Sequence, residues 1–284
     1  MKIADEKAHL DQVRRFYAAL APDYDASLRR SPYYVNLYRQ YQRCLEDIFE
    51  RDRQGSAIHT VVELGAGTGA HTGYLAARAR RVVSLDLSSD LLRINQDKLR
   101  RARIANVRLL QGDIASAGLR TGLADCVVCL GDVFSHVPRY EVALAEIARV
   151  TRPGGLFCFD CDNKWCPQVL GDWDELRRAA ATPGVGHLRT WHHHGHSMTF
   201  CTFSHKELRR LLGGAGFRIE QTYGFNFLPS MIPERLHFTD LDTPGGRFCY
   251  ALGVLDRHLT ALYPVNRLAE AKLIIARRAG NGAG

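Results

Sequence analysis

Residues Val61-Val-Glu-Leu-Gly-Ala-Gly-Thr-Gly69 run an apolar stretch into glycines at alternate positions, with an acid, Glu63, near the end of the stretch. Glycine at 65, 67 and 69 lets the chain turn sharply and lets a ligand lie against bare backbone. Dinucleotide loops space their glycines G-x-G-x-x-G and lead a pyrophosphate to a helix N-terminus. Here the spacing is Glu63-x-Gly65-x-Gly67-x-Gly69, which separates the two patterns. A second group of reactive types, Cys129-Leu-Gly-Asp-Val-Phe-Ser-His136, follows an apolar run that ends in the same way. Ligands of open α/β sheets sit beyond the carboxyl ends of strands, so His136 is a candidate base or orienter and Asp132 a second polar contact. The plain alternative for His136 is a surface histidine.

Two further clusters invite a metal. Trp191-His-His-His-Gly-His196 places four histidines within five residues. Side chains on an extended chain alternate, so only His192, His194 and at most His196 converge, and no acid lies nearby in sequence to complete a shell. They read as contacts of a substrate pocket, together with Trp165 and Trp191, and no metal is expected. The eight cysteines include the pairs Cys126/Cys129 and Cys158/Cys161, each inside an apolar run that reads as a strand. Residues three apart on a strand face opposite ways, so neither pair can clamp one ion, and all are expected to be reduced core residues.

These groups need elements to hold them. Apolar recurrence at three and four predicts helices over 5–21 and 33–51, separated by a turn around Pro22 and Ser31-Pro32. Beyond Gly55 the pattern alternates. Short apolar runs fall at Thr60–Leu64, Val82–Leu85, Val107–Leu110, Asp125–Leu130 and Leu156–Asp160, with helical stretches at Ala70–Arg78, Ser89–Arg101 and Tyr140–Val150 between them. Such a series folds as a mostly parallel sheet with helices on both faces. Residues 162–203 break the rhythm and read as an insertion. A helix at Ser204–Gly213, a strand at Phe217–Tyr223, a helix near Phe248–Leu262 and a strand at Ala271–Arg277 complete the domain. The tail RRAGNGAG is too small and polar to pack.

The glycine segment resembles the first motif of the class I S-adenosylmethionine (SAM) dependent methyltransferases, and the resemblance continues in order along about residues 10–160 and 203–277. Asp86 ends the second strand (RVVSLDLS), where the family grips both ribose hydroxyls; a carboxylate can accept two O–H bonds at once. Gln111-Gly112-Asp113-Ile114 stands where the family's aspartate meets adenine. Asp125 opens the fourth strand as in the "fD.v" signature, and Leu130-Gly131 closes it, where backbone carbonyls would meet the methionine ammonium. Leu144–Gly155 is similar to the family's helix and "L.PGG" turn, and Lys206–Phe217 to its penultimate helix. Phe16–Asp25 is similar to the "Y..LA..YD" lead-in of small-molecule methyltransferases, which folds over the cofactor. The segment holding His136 resembles that of amino-sugar N-methyltransferases.

What the resemblance implies is an α/β, doubly wound, seven-stranded mostly parallel sheet. Residues 1–55 form a helical lid, 56–161 and 204–278 the core, 162–203 a substrate cap after strand five, and 279–284 a disordered tail. The implied cofactor is SAM, on Tyr17, Tyr24, Glu63, Gly65, Gly67, Gly69, Asp86, Leu87, Asp113, Ile114, Leu130 and Gly131. His136, Asp132 and Tyr24 become the candidate catalytic groups, and Trp165, Trp191, His192, His194, His196 and Phe227 the candidate acceptor contacts. The implied reaction moves a methyl group to an oxygen or nitrogen of a small organic molecule.

The formal net charge of +8 raises the question of nucleic acid, but the arginines are scattered in short groups on helix faces, with no basic tail. That argues against a nucleic-acid partner. No apolar run reaches the roughly 20 residues of a membrane span, and the charged N-terminus lacks the apolar stretch of a signal peptide. A cytoplasmic protein is expected, and a homodimer is compatible with the sequence. The rival readings are an RNA or protein methyltransferase, and a SAM-binding enzyme or regulator on the same fold that does not methylate.

Overall fold

A computed structural model describes residues 5–53, 58–182, 186–193 and 196–280. The central sheet has the order β3-β2-β1-β4-β5-β9-β8. Its strands are β1 (Thr60–Leu64), β2 (Arg81–Asp86), β3 (Val107–Gln111), β4 (Ala124–Cys129), β5 (Thr151–Asp162), β8 (Phe217–Phe225) and β9 (Ala271–Arg278). The first five pair in parallel, and β9 lies antiparallel between β5 and β8. The seven-stranded, mostly parallel sheet is the one the resemblance implies, and its five parallel strands follow the alternating pattern. At the start of β4, Asp125 ties three strands together: its carboxylate accepts from the His59 and Thr60 amides at 3.0 and 2.7 Å and from Arg152 Nε at 2.5 Å.

The sheet is covered on both faces. One face packs Phe134, Phe157 and Phe159 under helices α5 (Tyr140–Val150) and α8 (His205–Gly214), the latter started by a Ser204–Glu207 capping box. The other packs Val61, Val82 and Leu273 under α2 (Pro32–Arg53) and α3 (Thr72–Ala76). From α2, Tyr41, Leu45 and Ile48 are buried against the sheet; each such side chain contributes about 1.5–3 kcal/mol. The cysteine pairs split as strand alternation requires: Cys126 and Cys158 lie in one face's core, Cys129 and Cys161 in the other's, and all eight cysteines are buried.

Four expectations change. Helix α1 runs unbroken from Glu6 to Arg30 through Pro22, and the turn to α2 is confined to Ser31. A mid-helix proline costs a backbone bond, yet the second half of α1 is held by tertiary contacts: Asp25 accepts from Thr68 Oγ1 at 2.8 Å and pairs with Lys98 of α4 (Ser89–Arg101) at 2.5 Å. The segment 162–203 carries regular structure: α6 (Pro167–Gly171), α7 (Trp173–Ala181) and a hairpin of β6 (His187–His193) and β7 (His196–Thr202). Strand β9 also continues to Arg278, where Arg277 pairs with Glu220 at 2.7 Å, so the first two tail residues are packed. The last helical stretch divides into α9 (Pro244–Asp256) and the short α10 (Val265–Leu268). Among the described residues, no helix is long and apolar enough to cross a membrane.

Candidate cofactor and acceptor site

The turns that follow β1, β2, β3 and β4 line one cleft of about 990 Å³, mouth included. Its floor is Gly65, Gly67 and Thr68, then Asp86 to Ser88, Asp113-Ile114, and Leu130-Gly131; Val133 and His136 close one end. Helix α1 roofs it with Leu10, Val13, Arg14, Tyr17 and Tyr24, and α2 adds Tyr38. The helical lead-in therefore lies across the ends of the strands.

Local chemistry explains the floor. Gly65, Gly67 and Gly69 all have positive φ, which L side chains resist. A Cβ on Gly65 would overlap Val133 and one on Gly69 would overlap Asn95, so these two serve packing. Nothing stands within 4 Å of a Cβ on Gly67, which faces open cleft. Its amide donates to Asp86 Oδ2 at 2.8 Å, while Asp86 Oδ1 accepts from the Ser88 amide at 2.8 Å. Burial pushes the Asp86 carboxyl up and these two bonds oppose it. A bare backbone beside a carboxylate with lone pairs to spare fits the ribose of a nucleoside cofactor, and Asp113 and Ile114 line the same cleft.

Glu63 does not line the cleft. It is buried beneath the loop, where its Oε2 accepts from Thr72 Oγ1 at 2.7 Å and Ser84 Oγ at 2.6 Å; Asn95 Nδ2 donates in turn to Thr72 Oγ1 at 3.0 Å. It anchors the glycine loop to β2 and α4. Burial raises its pKa from 4.5 to about 7. A raised acid favours the folded state fully below pH 4.5, and that contribution fades as pH rises through about 7. The difference corresponds to about 3 kcal/mol. Glu63→Gln keeps an acceptor for both hydroxyls without the charge. It should melt higher than wild type at pH 8 and lose that advantage near pH 5; a shift equal at both values would mean Glu63 does not titrate.

The His136 end of the cleft is built on the 3-10 turn Val133–His136 that follows β4. His136 is 7% exposed, and burial pulls its pKa down to about 3, so the ring is neutral. Its Nε2 lies 3.1 Å from the Tyr17 hydroxyl and 3.7 Å from Asp132 Oδ2, and its backbone carbonyl is 2.9 Å from His9 Nε2. Nδ1 has no hydrogen-bond partner among the described residues. Asp132 adopts a left-handed backbone (φ 63°), and both oxygens of Asp160 accept from its amide at 3.0 Å. Tyr41 donates to the same Asp160 from α2. Burial, Asp162 and Asp160 push the Asp132 carboxyl well above its usual range, and burial raises Asp160 to about 7.

Of the sequence-derived candidates, Tyr17, Tyr24, Gly65, Gly67, Asp86, Leu87, Asp113, Ile114, Leu130, Gly131 and His136 come together around the cleft. Gly69 and Asp132 stand just behind it. Trp191 packs on Phe16 at 5.4 Å, joining the hairpin to α1. Trp165 packs with Val169 and Ala179 inside the cap, and Phe227 is a half-buried residue after β8; neither lines the cleft. His194 and the side chains of His192 and His196 lie outside the described residues. The hairpin register pairs His193 with His196 and His192 with Ser197, so alternation along a single strand does not decide which histidines converge. Asp160, Asp162, His71, Tyr38 and the Asp25–Thr68 clasp escape sequence reading. Asp160 and Asp162 had a signal, since two acids end a strand in FDCD; the others are united only by packing.

Residues 62–159 match the family model described as a methyltransferase domain. A fatty-acid O-methyltransferase of Mycolicibacterium smegmatis is 37% identical over 102 residues, which is 35% of each chain. A demethylmenaquinone methyltransferase of Lactococcus lactis is 26% identical over 165 residues, 57% of this chain and 63% of that one. The chain thus spans less than two thirds of the length of these relatives. The structure of 1,6-didemethyltoxoflavin-N1-methyltransferase from Burkholderia thailandensis, with 1,6-didemethyltoxoflavin and S-adenosylhomocysteine bound, superposes with a TM-score of 0.58 at 17% identity, covering 98% of this chain and 92% of that one. Residues 62–159 thus match a methyltransferase domain, and the chain shares its fold with S-adenosylmethionine-dependent methyltransferases of known structure.

Proposed function

We propose that the protein transfers the methyl group of SAM to a nitrogen or oxygen of a small organic molecule. The observation that carries this reading is the roofed cleft: α1 and α2 lie over the glycine loop and Asp86, and the acceptor end is bounded by Tyr17 and His136. Such an enclosure suits a small acceptor. Bound SAM supplies a methyl group already activated on a sulfonium, so the protein's task is alignment. Asp86 would hold the ribose, Asp113 the adenine, and the Leu130-Gly131 backbone the ammonium.

His136 acts on the acceptor as a neutral hydrogen-bonding group. When Tyr17 accepts from Nε2–H, the lone pair on Nδ1 is open to a donor on the acceptor. A ring whose pKa is drawn to about 3 makes a poor full proton acceptor, so orientation is its main role. The hairpin packs against α1 and the His136 turn, with Gln12 Nε2 donating to the Ser197 carbonyl at 2.7 Å and the Phe200 ring 6.3 Å from His136.

Release of S-adenosylhomocysteine in the presence of small amines, phenols and hydroxyl compounds tests the reading. Tight SAM binding without consumption under any acceptor would favour a binding or non-methylating role on the same fold. Because the sulfonium needs no Lewis acid, EDTA should leave turnover intact, and His192→Ala or His194→Ala should alter acceptor selectivity rather than abolish it. Activity lost on chelation and restored by one divalent ion would reverse that expectation.

A further inference from the structure

The adenine and ribose ends of the cleft are marked by Asp113 and Asp86, which leaves the far end, at Gly131, for the amino-acid tail. A tail that carries an α-carboxylate needs a donor there. Among the described residues that line the cleft, the one arginine or lysine is Arg14, already paired with Asp11 at 3.0 Å. It precedes Tyr24 on α1 by almost three turns, roughly 15 Å along the axis at 1.5 Å per residue, and so serves the opposite end.

What stands at the Gly131 end is a stack of neutral rings. The Tyr38 hydroxyl is 3.9 Å from where a Cβ on Gly131 would lie, and it pairs with the Tyr24 hydroxyl at 3.4 Å. The Tyr38 ring stacks on His71, with centroids 4.8 Å apart and planes 5° from parallel. Tyr41 sits edge-on to the same imidazole at 5.5 Å, but its hydroxyl is spent on Asp160. His71 lines the cleft and is 6% exposed, yet its Nε2 has no hydrogen-bond partner among the described residues. Buried polar atoms are rarely left so, because the penalty for an unmade bond exceeds the gain from a made one. Burial also draws the His71 pKa down to about 4, so the ring brings a donor without a charge.

We infer that His71 Nε2–H, aided by the Tyr24–Tyr38 hydroxyl pair, receives the α-carboxylate of the cofactor's amino-acid tail and makes the cleft select against nucleosides that lack it. This rests on the methyl-transfer reading above. Hydrogen bonds from neutral donors to a charged acceptor are strong enough for this task once water is excluded. Tyr38 keeps the imidazole edge in place by stacking, which makes it a positioning residue for His71.

Calorimetry with two nucleosides tests the assignment: S-adenosylhomocysteine, and 5′-methylthioadenosine, which has the same adenosine and thioether but no amino-acid tail. Wild type should bind S-adenosylhomocysteine the more tightly. His71→Phe, which keeps a ring on Tyr38 but removes the donor, should weaken S-adenosylhomocysteine by about tenfold or more and leave methylthioadenosine within about twofold. His71→Gln, whose amide can reach the same place, should recover part of the loss; if His71→Phe does not fold, His71→Leu removes the donor in its place. Equal weakening of both nucleosides would make His71 a packing residue and overturn the inference, as would no change in either. Wild-type protein that binds neither nucleoside would instead overturn the SAM reading on which the inference rests.

Discussion

Asp86→Ala should lower the affinity for SAM by about 30-fold to 1000-fold, and Gly67→Val should lower it at least as far. The two variants act by different physics on one contact. Asp86 presents a carboxylate to the cleft while its oxygens accept from the Gly67 and Ser88 amides. Removing it takes away the acceptor for the ribose diol and leaves two backbone donors without their partner. Hydrogen bonds to a charged group, lost together, cost about 2–4 kcal/mol. Asp86→Asn should fall between, because an amide oxygen can still accept one of those bonds. Gly67 has positive φ and open cleft where its Cβ would be. A valine there meets a backbone strain and fills volume meant for the cofactor. Calorimetry on folded variants checks both; wild-type affinity in the pair would remove SAM from this cleft.

His136→Ala should lower kcat by about a hundredfold while leaving the Kd for SAM within a few-fold, because the ring lies at the acceptor end of the cleft. Its neutrality makes the pH dependence specific. With the pKa drawn to about 3 by burial, the imidazole is uncharged from pH 5 upward. Its own titration therefore produces no limb near pH 6.5 in kcat/KM, and a limb in that range belongs to the acceptor or to a buried acid such as Asp160 or Glu63, each of which burial raises to about 7. His136→Gln should recover a substantial part of the rate, since orientation needs a hydrogen-bonding group and not a strong base. A Gln variant as slow as the Ala variant, with a limb at pH 6.5 in wild type, would make His136 the base that takes the acceptor's proton. Unchanged kcat and KM in His136→Ala would return it to the role of a packing residue.

The acid cluster behind His136 bears on the same experiment. Asp132 is held in a left-handed turn by the two oxygens of Asp160, and Tyr41 of α2 donates to that carboxylate. Helix α2 and the turn that carries His136 are thereby joined through one side chain. Geometry at the acceptor end depends on α2 as well as on the sheet.

The order of elements was readable because it rests on local periodicity. Alternation of short apolar runs with helical stretches is a property of each segment alone, and so are the glycines at 65, 67 and 69 and the acids at the ends of β2 and β3. A parallel sheet with this series of strand ends brings Asp86, Asp113 and Gly131 to one edge whatever the rest does. The same holds for the cysteines, whose division between two cores follows from strand alternation.

Contacts between segments distant in sequence were decided by tertiary packing. Pro22 ought to end a helix, but the Asp25 clasp to Thr68 and Lys98 sustains α1 beyond it, a long-range gain that local propensity does not contain. The histidine cluster turned on a hairpin register, which pairs residues across strands that a one-strand argument treats separately. Glu63 carries the right residue type at the expected position, yet two buried hydroxyls claim it and make it an anchor beneath the loop. His71 shows nothing in sequence beyond its place after the glycines; its burial, its stack on Tyr38 and its unpartnered nitrogen exist only once α2 is laid over β1. Sequence determined which strand ends form the cleft, because periodicity is local; the tertiary structure decided which side chains face it, because burial and partner choice are properties of the whole fold.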